Sequence, residues 1–516
     1  MSENYIISVD IGTSYVKAGI YDSNGSCINT CQKKARQKYV ENGALVQDAD
    51  NFVDLFREVV KTLMQNSLIK KQSVKVLSFT GQMAGALGVD KDLNAVTIWS
   101  GTMDNRQDLS MENEQDSDMI LRLSGTNTPF MAKKIQWFEA DNSRHSRKVY
   151  KYIGISSYVI AKISDLDAKD LFLEASYLTW TGLADIEKRV WSKDICDIFG
   201  IDIDLLPRIV ESTAIVGKLS KVFADECGLI EGTPIAAGAG DKIAGCIGTG
   251  VVQPGMMIDE CSSVAQMTLC VNEYKPDLEN RTLEILPSAI PGIYYSSFYI
   301  PGSGLALEWF VNNFAGEEKI SAEQSGRDVH VLLDEKSEKV NEGSDNLICI
   351  GLLGGSCLPF KPNIRGLWVG HSYMHTKAHF YRALLESYAF ENKRCVDIMR
   401  GKFITLPFDK IKVIGGGASS DLWNDIKVNV LGIDYESLYR DDFSLLGAAI
   451  IGGTAIGMFD NIMDTAKNFA EIKKVYKCDN SKTKKYEKIY SLYSKATEDN
   501  MNLFDELNKR RMENDA

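Results

Sequence analysis

Apolar and polar positions along this chain alternate between the period of a strand and that of a helix. The run Tyr5-Ile6-Ile7-Ser8-Val9 ends at Asp10 and a small-residue turn, Ile11-Gly12-Thr13-Ser14. Lys17 follows, and a second apolar run reaches Asp22-Ser23-Asn24-Gly25. This predicts a strand, a tight turn with exposed backbone N–H groups and a return strand. Phe52, Leu55, Phe56, Val59, Val60 and Leu63 then recur at helical spacing, which predicts a helix over 51–64 capped by Asp50 or Asn51. Val74 to Phe79 reads as a buried strand ending at Thr80-Gly81-Gln82-Met83. Strand, helix, strand in that order implies a parallel α/β sheet, with ligands at its strand ends.

The second half repeats the scheme. Ile411-Lys412-Val413-Ile414 predicts a short strand running into Gly415-Gly416-Gly417-Ala418-Ser419-Ser420, with a helix from about Asp421. Its likeness to Val74–Gln82 suggests two related α/β lobes with a cleft between them. We place them at 1–253 and 254–516, divided at Val251-Val252-Gln253-Pro254-Gly255. The longest apolar run, Leu445 to Phe459, has 15 residues and four glycines. It is too short for a membrane span and reads as a buried, closely packed helix. From about Ala466 the chain is rich in Lys, Tyr and Asp, which predicts surface helices.

At 516 residues the chain exceeds one hydrophobic core, so two domains of about 250 residues each are expected. A net charge of −12 argues against a nucleic-acid partner and otherwise serves solubility. The eleven cysteines are odd in number and form no CxxC pair, which fits reduced thiols in a cytoplasmic protein. Met1-Ser2-Glu3-Asn4 lacks a basic region followed by an apolar stretch, so no signal peptide is expected. No membrane association is expected, and a homodimer is the default for such an enzyme.

Phosphoryl transfer needs phosphates held, a metal placed, an acceptor hydroxyl aligned and a carboxylate to take its proton. Backbone amides of Gly12, Thr13 and Ser14 suit phosphate, and Asp10 suits the water shell of a magnesium ion. Gly415, Gly416 and Gly417 let a nucleotide lie against backbone, and Asp241 in Gly238-Ala239-Gly240-Asp241-Lys242 is the candidate base. Each has a plainer reading: a hairpin turn, a tight connection, a helix cap. Their joint occurrence at strand ends favours a phosphotransferase. His371, His375 and His379 stand four residues apart, but Gly370 and Ser372-Tyr373 read as loop. With a helix starting near Thr376, His379 is a packing or hydrogen-bonding residue rather than a metal ligand. Arg382 and Glu386, one turn apart, form a structural pair. Trp99, Trp137, Trp180 and Trp191 are assigned mainly to packing.

A longer series of motifs runs from about residue 5 to about 470. It comprises Asp10–Lys17, Thr80–Met83, Met103-Asp104-Asn105-Arg106, Lys134-Ile135-Gln136-Trp137, Gly240-Asp241, Gly366–Phe390 and Gly415–Gly432. In this order they resemble the FGGY carbohydrate kinase family, within the sugar kinase, Hsp70 and actin superfamily. The resemblance implies an α/β fold of two ribonuclease H-like lobes with an interdomain cleft. It also implies an ATP-dependent kinase of a sugar or polyol that uses Mg2+. By it, Asp241 is the general base, and Gln82, Met83, Asp104, Asp241 and Lys242 belong to the sugar site. Asp10, Gly12, Thr13, Ser14 and Lys17 belong to the phosphate and magnesium region, with Ser262 and Ser263 as a second phosphate turn. Gly416, Gly417 and Ala418 fall in the adenosine site, with Asn424 nearby and Gly302 and Gly304 in a turn lining the nucleotide cleft. Closure of the lobes would exclude water.

Within the family, Thr80–Met83 is most similar to xylulokinases, which implies a pentulose such as D-xylulose. Three positions depart from that pattern: Ala84 stands where a histidine is usual, Lys242 where Asn or Gln is common, and Cys261 where the phosphate turn has Gly. A cation beside Asp241 is expected to favour its ionised form. The alternatives are a kinase of a tetritol, another pentulose or a heptulose, and a nucleotide-binding regulatory module without catalysis.

Overall fold

Each apolar run read as a strand enters one of two mixed sheets. The computed structural model describes residues 4–40, 43–111, 113–140, 148–357 and 360–515. The first sheet contains β1 (Tyr5–Ile11), β2 (Tyr15–Tyr21), β3 (Cys27–Lys34), β4 (Val74–Gly81), β5 (Ile215–Lys218) and β6 (Pro234–Ala236), in the order β5-β6-β4-β1-β2-β3. The second contains β7 (Met257–Cys261), β8 (Ala265–Val271), β9 (Glu284–Pro287), β10 (Tyr294–Ile300), β11 (Lys410–Ile414), β12 (Asp434–Leu438) and β13 (Ile472–Tyr476), in the order β9-β10-β8-β7-β11-β12-β13.

The two sheets share a plan. An antiparallel hairpin, β1–β2 or β7–β8, is joined on its first strand by a parallel partner, β4 or β11. The predicted return strand and the predicted parallel strand-helix-strand unit thus meet in one mixed sheet. A tight turn such as Gly12–Ser14 can only return the chain antiparallel, whereas β4 arrives through the helical crossover that parallel pairing requires. That crossover is α1 (Ala49–Gln65), whose Phe52, Phe56, Val59, Val60 and Leu63 are fully buried. Its cap is Asp48, two or three residues before the predicted start, with the side chain accepting from Asp50 N at 3.1 Å.

The lobes meet through two helices. The first, α2 (Asp241–Gly248), follows β6 of the first sheet. The other, α6 (Phe443–Ala455), follows β12 of the second and packs on α2, β1 and β4. Between β10 and α6 lie α3 (Ser303–Phe314), α4 (Lys377–Lys402) and α5 (Asp421–Leu431). The α2–α6 crossing is made backbone to backbone, since a Cβ at Gly447 would overlap Ala244 O and one at Gly248 would overlap Phe443 O. The run Leu445–Phe459 is thus the closely packed helix its glycines suggested. On the other side of the interface, the buried Glu284 carboxylate of β9 accepts from Thr126 Oγ1 at 2.5 Å, Thr128 Oγ1 at 2.8 Å and Trp180 Nε1 at 2.7 Å.

The tail differs from expectation. Ile472-Lys473-Lys474-Val475-Tyr476 adds β13 to the second sheet as an edge strand, where lysines are tolerated. After it, α7 (Asn480–Asp499) buries Tyr486 and Tyr493, whose hydroxyls donate to Glu386 at 2.9 Å and Glu391 at 2.7 Å. Among the described residues no helix is long and apolar enough to cross a membrane.

If the crossing is set by backbone contact, Gly447→Ala forces α2 and α6 apart. It should lower stability by about 1–3 kcal/mol, read from the urea unfolding midpoint. Gly457→Ala, at a position with no neighbour within 4 Å of the added carbon, should not separate the helices and should cost only its local backbone strain.

Candidate active site

The end of β1 brings a carboxylate under a tight turn. Gly12 N donates to Tyr15 O at 3.1 Å and closes the hairpin. Gln82 N at the end of β4 donates to Ile11 O at 3.1 Å, and Thr13 Oγ1 donates to Gln82 Oε1 at 3.3 Å. The Gly12–Ser14 turn is therefore tied to the Thr80–Met83 segment, with Ser14 and Lys17 exposed. Asp10 is buried beneath it, and Ser444 Oγ of α6 donates to its Oδ2 at 3.2 Å. Burial raises the Asp10 pKa, against the pull of Lys17 and the Ser444 hydrogen bond.

The loop Gly238–Asp241 comes from β6 to the same place. Ala239 N donates to Phe79 O at 3.1 Å, and Gly238 has a φ of +74° with no room for a Cβ beside Phe79 O. Met83 packs against Gly240. Asp241 opens α2 with its side chain exposed to the cleft, while the surrounding walls crowd the carboxyl group. That desolvation, reinforced by the negative charges of Asp10 and Glu260, pushes it up to about 7.

Lys242 is engaged by the second lobe. Its amine is buried in an ion pair with Glu260 of β7 and does not face the cleft as a free cation. It pulls the Asp241 pKa down, as expected of a neighbouring cation, but desolvation and the neighbouring carboxylates outweigh it and the net shift is upward. Asp104 is held by its own neighbours. Its Oδ1 accepts from Arg106 Nε at 2.8 Å, and its Oδ2 from Arg106 Nη2 and Ser100 Oγ, both at 2.7 Å. Burial opposes its charge, yet these donors and Lys134 hold it well below the usual carboxylate range. Its oxygens are spent on the protein itself. By contrast, Gln82 Nε2 and Trp99 Nε1 are buried donors without a hydrogen-bond partner.

The second sheet supplies the opposite wall. Ser262 and Ser263 form the exposed β7–β8 turn, and their carbonyls accept from Gly304 N at 3.0 Å and Leu305 N at 3.3 Å at the start of α3. Gly302 is the left-handed residue before α3, and its carbonyl accepts from Tyr388 at 3.1 Å. Gly416–Ser419 is a helical turn between β11 and α5, and Ser420 caps α5 as the glycine-rich pattern predicted. Asn424 does not reach the surface. It is fully buried, and its Nδ2 holds Ala418 O at 2.9 Å from below, so its amide supports the turn.

Cys261 keeps strand geometry in register with Ala265, which accommodates its side chain without a glycine conformation. The thiol sits beneath Gly417 and touches Lys427 Nζ at 2.5 Å, and Lys427 pairs with Asp259 at 2.9 Å. His379 completes the capping box of α4 with Thr376 and contacts Asp345 Oδ2 at 3.2 Å, so it has a structural task. Arg382 and Glu386 pair inside the fold at 3.1 Å. Glu260 and Ser444 carried no sequence signal, because each meets its partner from the other lobe.

Against known proteins, the family model for the N-terminal domain of the FGGY family of carbohydrate kinases matches residues 5–248, and that for its C-terminal domain matches 281–456. The chain belongs to the FGGY family of carbohydrate kinases. It is 25% identical to a xylulose kinase of Staphylococcus epidermidis over 96% of each chain. It is also 25% identical to an autoinducer-2 kinase of an Enterobacter species over 91% of this chain and 89% of that one. The solved structure of a ligand-bound xylulose kinase from Lactobacillus acidophilus shares the fold, with a TM-score of 0.87 and 22% identity over 98% of this chain and all of that one. As an FGGY kinase it is a phosphotransferase acting on sugar hydroxyls with ATP.

The charges around Asp241 in this kinase are separable. A carboxyl titration followed by 13C chemical shift should place Asp241 at about 7. Lys242→Gln, which removes the one pull downward from a side chain, should move it higher, and Glu260→Gln should move it lower.

Proposed function

We propose that this kinase transfers the γ-phosphoryl group of ATP to a hydroxyl of a ketose or polyol, with a pentulose such as D-xylulose as acceptor. The observation that carries the reading is the Asp241 carboxyl group. It is exposed at the cleft, at the start of a helix, near the Asp10 turn. In this mechanism the acceptor oxygen attacks the γ-phosphorus, the bond to ADP breaks, and the hydroxyl proton passes to Asp241. A carboxylate titrating near neutrality is strong enough to take that proton and is still substantially ionised at working pH.

Gly12, Thr13 and Ser14, with Lys17 beside them, would hold phosphate oxygens from the first lobe, and Ser262 and Ser263 from the second. Gly416–Ala418 and the Gly302–Gly304 turn would line the nucleoside side. Asp10 fits a role beside magnesium, because its buried Oδ1 has no partner and can accept from a metal-bound water. Magnesium bound with ATP would neutralise charge on the transferring phosphoryl group.

The unpartnered amide of Gln82 and indole N–H of Trp99 support an acceptor rich in hydroxyls. Met83 would supply the apolar wall beside Gly240. The similarity to an autoinducer-2 kinase, with Ala84 in place of a larger polar group, supports a second reading in which the acceptor is another short polyhydroxylated chain. The ten described cysteines are free thiols, which supports a reducing, cytoplasmic setting.

ADP release measured against a panel of ketoses and polyols, including D-xylulose, tests this function. At least one acceptor should give turnover, and Asp241→Asn should lower kcat by about 10²–10⁴-fold. Because the proton must leave Asp241 before it can act, kcat/KM should fall as pH drops through about 7 and level off above it. Full activity in Asp241→Asn, or no acceptor above background, would sink the proposal.

A further inference from the structure

Three consecutive backbone N–H groups lead into Asp241, and all three are caught. Gly238 N donates to Ser212 O at 3.0 Å, Ala239 N to Phe79 O at 3.1 Å, and Gly240 N to Ser176 Oγ at 2.8 Å. Two of these anchors are strand or loop carbonyls. The third is a side chain, free to rotate unless something holds it.

Glu174 holds it. Glu174 ends a short strand, Phe172–Glu174, paired in parallel with Arg208–Val210, so Glu174 lies opposite Val210 and close to Ser212. The Glu174 carboxylate accepts from Ser176 Oγ on one oxygen and from Ser212 Oγ at 2.5 Å on the other. All three side chains are buried, with Glu174 only 1% exposed. A hydroxyl has one hydrogen. Once Ser176 gives it to Glu174, its lone pairs are left for Gly240 N–H. Ser212, fixed in the same way, presents its carbonyl to Gly238.

Glu174 forms no salt bridge among the described residues, and Arg189 acts on it only at longer range. A buried carboxylate without a contacting cation is costly, and a neutral side chain would fill the space more cheaply. A neutral amide would have to share its single oxygen between the two hydroxyls, whereas the carboxylate gives each hydroxyl an oxygen of its own. Gln82, Asp10 and Asp241 all lie around the loop that this arrangement fixes, whereas Glu174 itself does not reach the cleft.

We propose that Glu174 is a positioning residue for the phosphoryl-transfer reaction, its buried carboxylate orienting Ser176 and Ser212 so that they pin the Gly238–Gly240 backbone and aim Asp241. The catalytic part of this rests on Asp241 acting as the base. The structural part does not.

Amide hydrogen exchange by mass spectrometry, on the full chain, tests the pin without any substrate. In Glu174→Ala and in Ser176→Ala, exchange over residues 237–242 should quicken by about tenfold while α1 exchanges as in the wild type. The double variant should be no faster than Glu174→Ala alone, because Ser176 acts on the loop through its bond to Glu174. With ATP and D-xylulose, kcat should fall by about 10–100-fold with KM for ATP within about twofold, and Glu174→Gln should retain part of the rate. Unchanged loop exchange, or an equal rise in α1 that marks general destabilisation, overturns the proposal. Full turnover by Asp241→Asn would sink the assignment of the base instead, and D-xylulose failing as acceptor leaves the exchange result to decide the pin.

Discussion

The crossing of α2 and α6 at backbone distance is the constraint on which the rest of this kinase depends. Side chains cannot slide or repack where Gly447 meets Ala244 and Gly248 meets Phe443, so the relative position of the two helices is set by main-chain contact. The first of them begins with Asp241. The second places Ser444 on Asp10, so the helix that leaves one lobe gives a hydrogen bond to one oxygen of the other lobe's carboxylate. The glycines that permit the crossing therefore bring the second lobe onto the proposed base and the proposed phosphate turn, which the first sheet places together.

Around that crossing, charge is distributed with unusual economy of solvent. Asp10 and Glu260 both bear on Asp241, the latter across the lobe boundary, while Lys242 offsets them beside Glu260 and Lys17 acts on Asp10. The result is a carboxyl group near neutrality beside one, Asp104, that stays ionised because Arg106, Ser100 and Lys134 surround it. Two aspartates of the same cleft region thus have opposite fates, decided by what their oxygens touch. The buried Lys427–Asp259 pair beneath the glycine turn follows the same logic. Its charges are fully partnered, and it supports the turn without entering the cleft.

Much of this was legible in the sequence, and the parts that were not share a physical cause. Strands β1, β4 and β11, helix α1 and the start of α5 were readable because their periods and caps are local properties of a few adjacent residues. The Gly-rich run of α6 was readable as a close contact, although its partner was not. The edge strand β13 was missed because Lys473 and Lys474 face solvent at the sheet margin and hide the alternation. Asp104, Asn424 and Lys242 were placed at ligands on motif position alone. Each turned out to be engaged by neighbours, Asn424 with Ala418, Asp104 with Arg106 and Lys242 with Glu260, and only the last crosses between the lobes.

By itself, then, the sequence determined the order of elements, the small-residue turns at their ends and the family pattern they compose, because propensity and turn chemistry act over a few residues. Only the tertiary structure decided which carboxylates are free and which are spent, and where each one titrates. Those properties depend on burial and on charges and hydrogen bonds brought from positions such as Asp10 and Ser444, which lie on opposite lobes and meet only when α6 packs against β1. No local rule relates such residues; the fold does.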